Sequence, residues 1–348
     1  MKWIRDLDLS QLQNWMIENN YPKYRAGQLY GWLWKREVDD FQQMRNLPLE
    51  MREKLAGEFC LERLETIDSR QSEDGCVKFA LRLHDGNIVE MVLIPAPNRV
   101  TLCLSSQVGC ALHCSFCATA HLGFTRNLSA YEIYGQALMA DRLSRELYGM
   151  PLGNIVCMGM GEPLLNYDNI LKALRMITSP DGMGWSPSRI TLSTAGICDG
   201  IRRLAEEGFP IHLAVSLHTA VADQRGELMP VARKYPLQDL SDALAFYHER
   251  TGERVTIEYL LLRDVNDRRE HVEALLKFCK RFPVKINIIE YNEHPFSPFR
   301  ASSDAVRDGF IRALEARNLV VNLRHSKGKE IAAACGQLAC LKREGRQI

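Results

Sequence analysis

The sequence has no long apolar run, no low-complexity linker, no internal repeat and almost no net charge, and each absence removes a class of protein. Residues Met1-Lys2-Trp3-Ile4-Arg5-Asp6 turn polar at once, without the apolar core of a secretory signal. No later stretch is apolar for long enough to span a bilayer. A cytoplasmic protein with no membrane contact is therefore expected. The missing repeats exclude a stacked solenoid. A formal net charge of +1 makes no argument for or against a polyanionic partner. Locally, 324–348 is basic, with Arg324, Lys327, Lys329, Lys342, Arg343 and Arg346 against Glu330 and Glu344. A solvated tail explains that charge as well as a binding role does.

Present instead is an ordinary globular balance, 46% apolar and 25% charged over 348 residues. That length suits one large α/β domain with an accessory unit. The first sixty residues read as short helices: one capped by Ser10 and running through Asn19, one over 24–36, and one over 49–59. They are rich in Trp, Lys and Arg, a combination that suits RNA, although Trp on a helix is more often core. Residues from about Glu65 to Ile94 alternate apolar and polar around the turns Glu73-Asp74-Gly75 and Asp85-Gly86-Asn87, so a small antiparallel β extension over 61–97 is expected. Pro95 and Pro97 mark its end.

From 98 to about 340 strands and helices alternate. Strand-like runs fall at 100–105, 154–158, 189–193, 212–217, 255–262 and 284–291. Helical stretches follow at 129–148, 167–178, 200–207, 237–250, 268–282 and 303–317, before a last strand-like run at 319–323. This is the pattern of parallel β/α units. Six units are too few for a closed eightfold barrel, so a partial (β/α)6 barrel is expected, with a flat doubly wound sheet as the competing architecture. Residues 341–348 form a basic tail.

Eleven cysteines are many for a compartment where disulfides rarely persist, and three of them crowd into eight residues: Cys110, Cys114 and Cys117. Spacings of four and three on a loop after the first core strand point three thiolates at one centre. A structural zinc ion wants four ligands, usually as two pairs, and no fourth lies at suitable spacing. A [4Fe–4S] cluster held by three cysteines leaves one iron free for another ligand. C-x3-C-x2-C in this setting resembles the signature of the radical S-adenosylmethionine (SAM) superfamily. In that superfamily the free iron takes the amino-acid end of SAM, and the cofactor rather than the protein supplies the radical chemistry.

Active sites of β/α barrels lie at the C-terminal strand ends. Gly161-Glu162-Pro163 follows the second strand, Ser193 ends the third, Ser216-Leu217-His218 ends the fourth and Asn292 ends the sixth, so all should face one rim. Taken singly each is ordinary, since Gly-Glu-Pro is a common turn and serines often finish strands. The superfamily resemblance implies that Gly161, Glu162, Ser193, Ser216, Leu217, His218 and Asn292 hold SAM, with the turn against its amino group.

Further motifs narrow the likeness: Cys103-Leu104-Ser105-Ser106-Gln107-Val108-Gly109-Cys110, Gly159-Met160-Gly161-Glu162-Pro163-Leu164, Leu192-Ser193-Thr194, Ser216-Leu217-His218, Met229-Pro230 and Ala334-Cys335-Gly336-Gln337-Leu338. In this order, over nearly the whole chain, they resemble the RlmN/Cfr family of radical SAM RNA methyltransferases, and its RlmN branch in particular. The resemblance implies methylation of adenine C2 in 23S rRNA and in tRNA. Cys335 would carry the methyl group, Cys103 would resolve the adduct through a transient disulfide, and Glu90 would accept a proton. It further implies an electron donor such as flavodoxin, and a monomer. Adenine C2 is electron-poor, so direct methyl transfer from SAM cannot work there, and a carbon-carrying cysteine answers that need.

Several residues depart from the family pattern. Glu293 follows Asn292 where proline is common, 294–299 is unusual, and Lys327-Gly328-Lys329-Glu330 replaces an Arg-Gly and an Asp. Three other readings stay open: a Cfr-type C8 methyltransferase, a radical enzyme acting on a protein, and a zinc or nucleic-acid module. Cys60, Cys76, Cys157, Cys198 and Cys279 read as buried and inert, and Cys340 as a spare or complicating thiol.

Overall fold

A computed structural model describes residues 2–61 and 64–339, so Cys340 and the tail 341–348 lie outside the described residues. The N-terminal module holds α1 (Leu9–Glu18), α2 (Arg25–Lys35) and α3 (Leu49–Glu58). Asp8 rather than Ser10 caps α1. Its carboxylate accepts the Gln11 N–H while the Gln11 side chain takes the Asp8 N–H, a reciprocal box. Ser10 lends its hydroxyl to that same carboxylate.

The rest is built on one ten-stranded sheet whose strands lie side by side in chain order. Strands β1 (Glu65–Gln71), β2 (Val77–Arg82) and β3 (Ile88–Ala96) are antiparallel, and β3 pairs with β4 (Arg99–Cys103). The β extension thus continues the main sheet. Six helices alternate with the remaining strands: α4 (Ala130–Tyr148), β5 (Leu152–Cys157), α5 (Tyr167–Thr178), β6 (Ile190–Thr194), α6 (Cys198–Glu207), β7 (His212–Ser216), α7 (Leu237–Thr251), β8 (Val255–Leu261), α8 (Arg269–Phe278), β9 (Val284–Glu290), α9 (Asp304–Glu315) and β10 (Val320–Arg324). From β4 to β10 every neighbouring pair is parallel. A doubly wound sheet would reverse its strand order at a switch point. This order never reverses, which leaves the partial barrel of six β/α units, and the last strand-like run adds a seventh parallel strand at its edge.

Every residue of β8 is buried, so the core runs through the middle of the sheet. The helical module docks on α4. Trp34 is fully buried, meets the Tyr134 ring edge-on at 5.3 Å, and its carbonyl accepts the Tyr134 hydroxyl. Arg5, also buried, lies 3.4 Å over the Tyr131 ring and donates to Leu33 O and Val38 O. Trp15 and Trp34 are therefore core, whereas Trp32 is half-buried with Arg36 stacked 4.2 Å above it. No described helix is long and apolar enough to cross a membrane.

Candidate active site

The cysteine loop leaves β4 through a buried run. Gly109 has φ +76°, and a Cβ there would stand 1.8 Å from Gly123 O, so only glycine allows the loop to fold back on itself. Ser105 donates to Glu90 O at 2.6 Å and accepts the Met160 N–H at 2.8 Å. Gln107 accepts the Glu162 N–H at 2.8 Å. Gly161, at φ +97°, lies so close to Gln107 that a Cβ would sit 2.5 Å from the Gln107 Cβ. The two sequence motifs are thus one structure: the strand-to-loop segment 103–110 is the mould for the 159–163 turn.

One cavity is lined by Cys110, Cys114 and Cys117 together with Gly161, Glu162, Ser193, Ser216, His218 and Cys335. Burial pushes the Cys110 thiol up to about 12, and the neighbouring Cys117 and Glu162 add to the effect. Burial also raises Cys114 and Cys117. Three crowded thiols in this state favour a cation that takes their protons' place. Among the described residues no three His, Cys, Asp or Glu side chains gather around one point as a single zinc ion would require.

Glu162 is 3% exposed, and its carboxyl is pushed up to about 7 by burial, against the pull of N–H groups from Ala195 and Leu164. A buried carboxylate in a cavity wall suits an ammonium group. His218, at φ +58°, is held neutral, at about 3, by burial and by the nearby Arg225. Its Nδ1 accepts the Leu260 N–H at 3.1 Å, which leaves the ring proton on Nε2. Leu217 and Asn292 are not in the cavity wall. The Leu217 N–H and C=O are taken by Glu258 O and Arg225, while Asn292 donates to Ser326 and leaves its Oδ1 buried without a partner among the described residues.

Cys335 faces a second cleft as well, lined by Cys103, Met158, Arg324, His325 and Lys327. It is exposed because it opens onto both spaces, yet the protein packed around it raises its thiol. Cys103 is 7% exposed, and its thiol is raised by burial and then by Cys335. Both are free thiols. Gly336 O accepts the Ala118 N–H at 2.7 Å and Leu338 O the Thr119 hydroxyl at 2.6 Å, so the cysteine loop and the Cys335 segment are tied together. Glu90 lines neither space. It is 4% exposed, not solvent-facing, and burial raises its carboxyl against the pull of Lys78. Of the other cysteines, Cys76, Cys157, Cys198 and Cys279 are buried, while Cys60 is only half-buried and Cys157 lines the first cavity.

Two side chains join the site without having been singled out from sequence. Arg225 is fully buried and donates to Ala195 O at 2.7 Å and Leu217 O at 3.3 Å, clamping the ends of β6 and β7. Nothing in its helical surroundings signalled this. Glu258 lines the first cavity and pairs with Arg324 of the second at 3.4 Å. A lone carboxylate in the apolar run Val255–Leu261 was the available signal.

Family models match two parts of the chain. The radical SAM superfamily matches residues 104–279, and the ribosomal RNA large subunit methyltransferase N-terminal domain matches residues 3–61. A relative from Flavobacterium psychrophilum, named "Probable dual-specificity RNA methyltransferase RlmN", is 46% identical over 97% of this chain and 97% of its own. The chain belongs to the RlmN family. A relative from Oleidesulfovibrio alaskensis, named "Dual-specificity RNA methyltransferase RlmN", is 42% identical over 98% of this chain and 97% of its own. The crystal structure of a radical SAM methyltransferase from Sphaerobacter thermophilus superposes with a TM-score of 0.91 at 40% identity, covering 97% of this chain and 99% of that one. As a member of the RlmN family the protein is a SAM-dependent radical enzyme whose cofactors are a [4Fe–4S] cluster and SAM. The thiol triplet, the buried Glu162 carboxylate and the neutral His218 donor fit those two groups.

Proposed function

We propose that the protein methylates C2 of an adenine in 23S rRNA and of the adenine 3′ of the anticodon in tRNA. The observation that carries this reading is the double exposure of Cys335, which shares one cavity with the cysteine triplet and another with Cys103 and the cations Arg324 and Lys327. A carbon carrier has to stand in both places.

In this reading Cys110, Cys114 and Cys117 hold the cluster. Gly161, Glu162, Ser193, Ser216 and His218 hold SAM, and Leu217 and Asn292 shape the wall from behind. Cluster and SAM together supply a 5′-deoxyadenosyl radical, which abstracts hydrogen from unactivated C–H bonds. Cys335, losing its thiol proton, would take the methyl of one SAM on its sulfur as S-adenosylhomocysteine leaves, and would present that methyl for hydrogen abstraction with a second SAM. The S-methylene carbon would then bond to adenine C2. Glu90 would take the ring proton as one electron returns to the bound cofactors, and the Cys103 thiol would attack the Cys335 sulfur, breaking its bond to carbon, so that the released carbon takes a proton to become the methyl group and the two cysteines remain as a disulfide. Residues 98–340 form the catalytic barrel and 61–97 its β extension. The module 1–60 grips RNA, for which Lys35, Arg36 and Arg45 around Trp32 offer a basic groove with a ring to stack on. A monomer acting in the cytoplasm with a flavodoxin-like electron donor completes the proposal.

Mass spectrometry of rRNA and tRNA from cells with and without the protein tests it. The expected product is 2-methyladenosine in both. 8-Methyladenosine would transfer the protein to the Cfr-type reaction. Intact mass of protein made with ample SAM should show one methyl on Cys335, and its absence would favour a radical enzyme acting on protein.

A further inference from the structure

Lys78 is a buried cation that the reaction just described does not use. It lies on β2 diagonally across from Glu90 on β3, since the antiparallel register sets Ala80 opposite Glu90 and Lys78 opposite Val92. Its ammonium stands 3.1 Å from Glu90 Oε1, with the two side chains 7% and 6% exposed. A buried ion pair costs desolvation that its attraction seldom recovers, so two apolar side chains would hold this hairpin as well or better. Stability alone does not account for the pair.

Two further contacts show what the pair can do. Glu90 Oε2 is buried and has no hydrogen-bond partner among the described residues. The Ala339 N–H and the Arg70 guanidinium also act on this carboxyl, without a hydrogen bond to Oε2, and both favour its ionised form, as Lys78 does. The Lys78 ammonium also donates to Ala332 O at 3.2 Å. Ala332 adopts φ +51°, a left-handed conformation uncommon for alanine, three residues before Cys335. One ammonium thus touches the proposed proton acceptor and the backbone that leads into the proposed methyl carrier.

We propose that Lys78 is a positioning residue for proton removal: it occupies Glu90 Oε1, leaves Oε2 as the accepting atom, and registers that carboxylate against the Cys335 segment through Ala332. The inference rests on the roles given above to Glu90 and Cys335. In the step concerned the ring C–H bond breaks, its electron pair stays in the ring, and the proton bonds to Oε2. Lys78 keeps all its protons throughout.

Lys78→Met and Lys78→Arg, made in the full chain with its cluster reconstituted, test this against wild type and Glu90→Gln. Three quantities are read: the methyl mass on Cys335 before RNA is added, covalent protein–RNA adduct on a denaturing gel, and methylated RNA released. Lys78→Met should still load Cys335 with methyl, accumulate adduct as is expected of Glu90→Gln, and release product roughly 100-fold more slowly. Lys78→Arg should recover most of the release. Wild-type release from Lys78→Met would overturn the proposal, as would loss of loading, adduct and product in parallel, which is the mark of a merely structural cation. If wild type itself carries no methyl on Cys335, the underlying reading of the reaction fails, and that failure shows in a separate arm.

Discussion

On one side of the cavity, Glu162, Ser193, Ser216 and His218 stand at or just beyond the ends of parallel strands, and the fold places them. On the other side, Cys335 stands on irregular chain beyond β10, and contacts distant in sequence hold it there. Asp74, in the β1–β2 turn, accepts the Gly328 N–H at 2.9 Å, Glu330 accepts the Glu73 N–H at 2.8 Å, and Lys78 reaches Ala332 O. The strand-end rim inherits its geometry from sheet pairing that the whole core supports. The Cys335 segment is held by polar contacts between groups far apart in sequence, with the β extension before Cys335 and with the cysteine loop at Ala118 and Thr119 after it. A rim built on the sheet suits a reactive cofactor, and a carrier on irregular chain suits a sulfur that has to serve two neighbours.

Variants of the two sides should therefore fail differently. The largest effect belongs to Cys335→Ala, which should abolish RNA methylation and the methyl mass while leaving the iron and sulfide content at the wild-type level. Loss of the cluster in this variant would mean that the carrier segment supports the thiol triplet directly. On the rim, Gly161→Ala forces a Cβ against Gln107 and shifts Glu162. The kcat/KM for SAM should fall by roughly 100-fold, chiefly through a raised KM, the scale expected for a misplacement near 1 Å. Asp74→Ala releases the tether without touching the rim, so about a tenfold loss of turnover at unchanged KM for SAM is expected. If KM for SAM rises instead, the two sides are not independent.

The smallest effect concerns stability. His218 titrates at about 3 in the folded chain against 6.5 ordinarily, so below pH 6.5 the unfolded chain binds a proton that the folded chain does not. Stability is lost as pH falls through that window. The loss should be about 1.4 kcal/mol at pH 5.5 relative to pH 7.5, and urea midpoints of His218→Gln should lack that component. An unchanged pH slope in the variant would show that His218 is accessible to protons when folded.

How much of this was legible in the sequence differs from residue to residue. The thiol triplet and the Gly-Glu-Pro turn were readable because their chemistry is local, set by spacing along a few residues. The partial barrel was readable from alternation, but its sequential strand order was not, because periodicity reports exposure and not neighbours. Glu90 and Lys78 alternate on their strands as solvent-facing residues would, and only the covering of that face by Ala332 and Ala339 makes them a buried pair. Arg225 gave no sign at all, since a helical arginine is ordinarily exposed.

The sequence by itself determined the cofactor chemistry and the family, because both are carried by short ordered motifs whose residue types admit few other uses. Only the tertiary structure decided which thiols share a cavity, which carboxylate is buried, and what holds Cys335 beside Cys103. Those are properties of groups far apart in the chain, and they exist only after the sheet has closed over them.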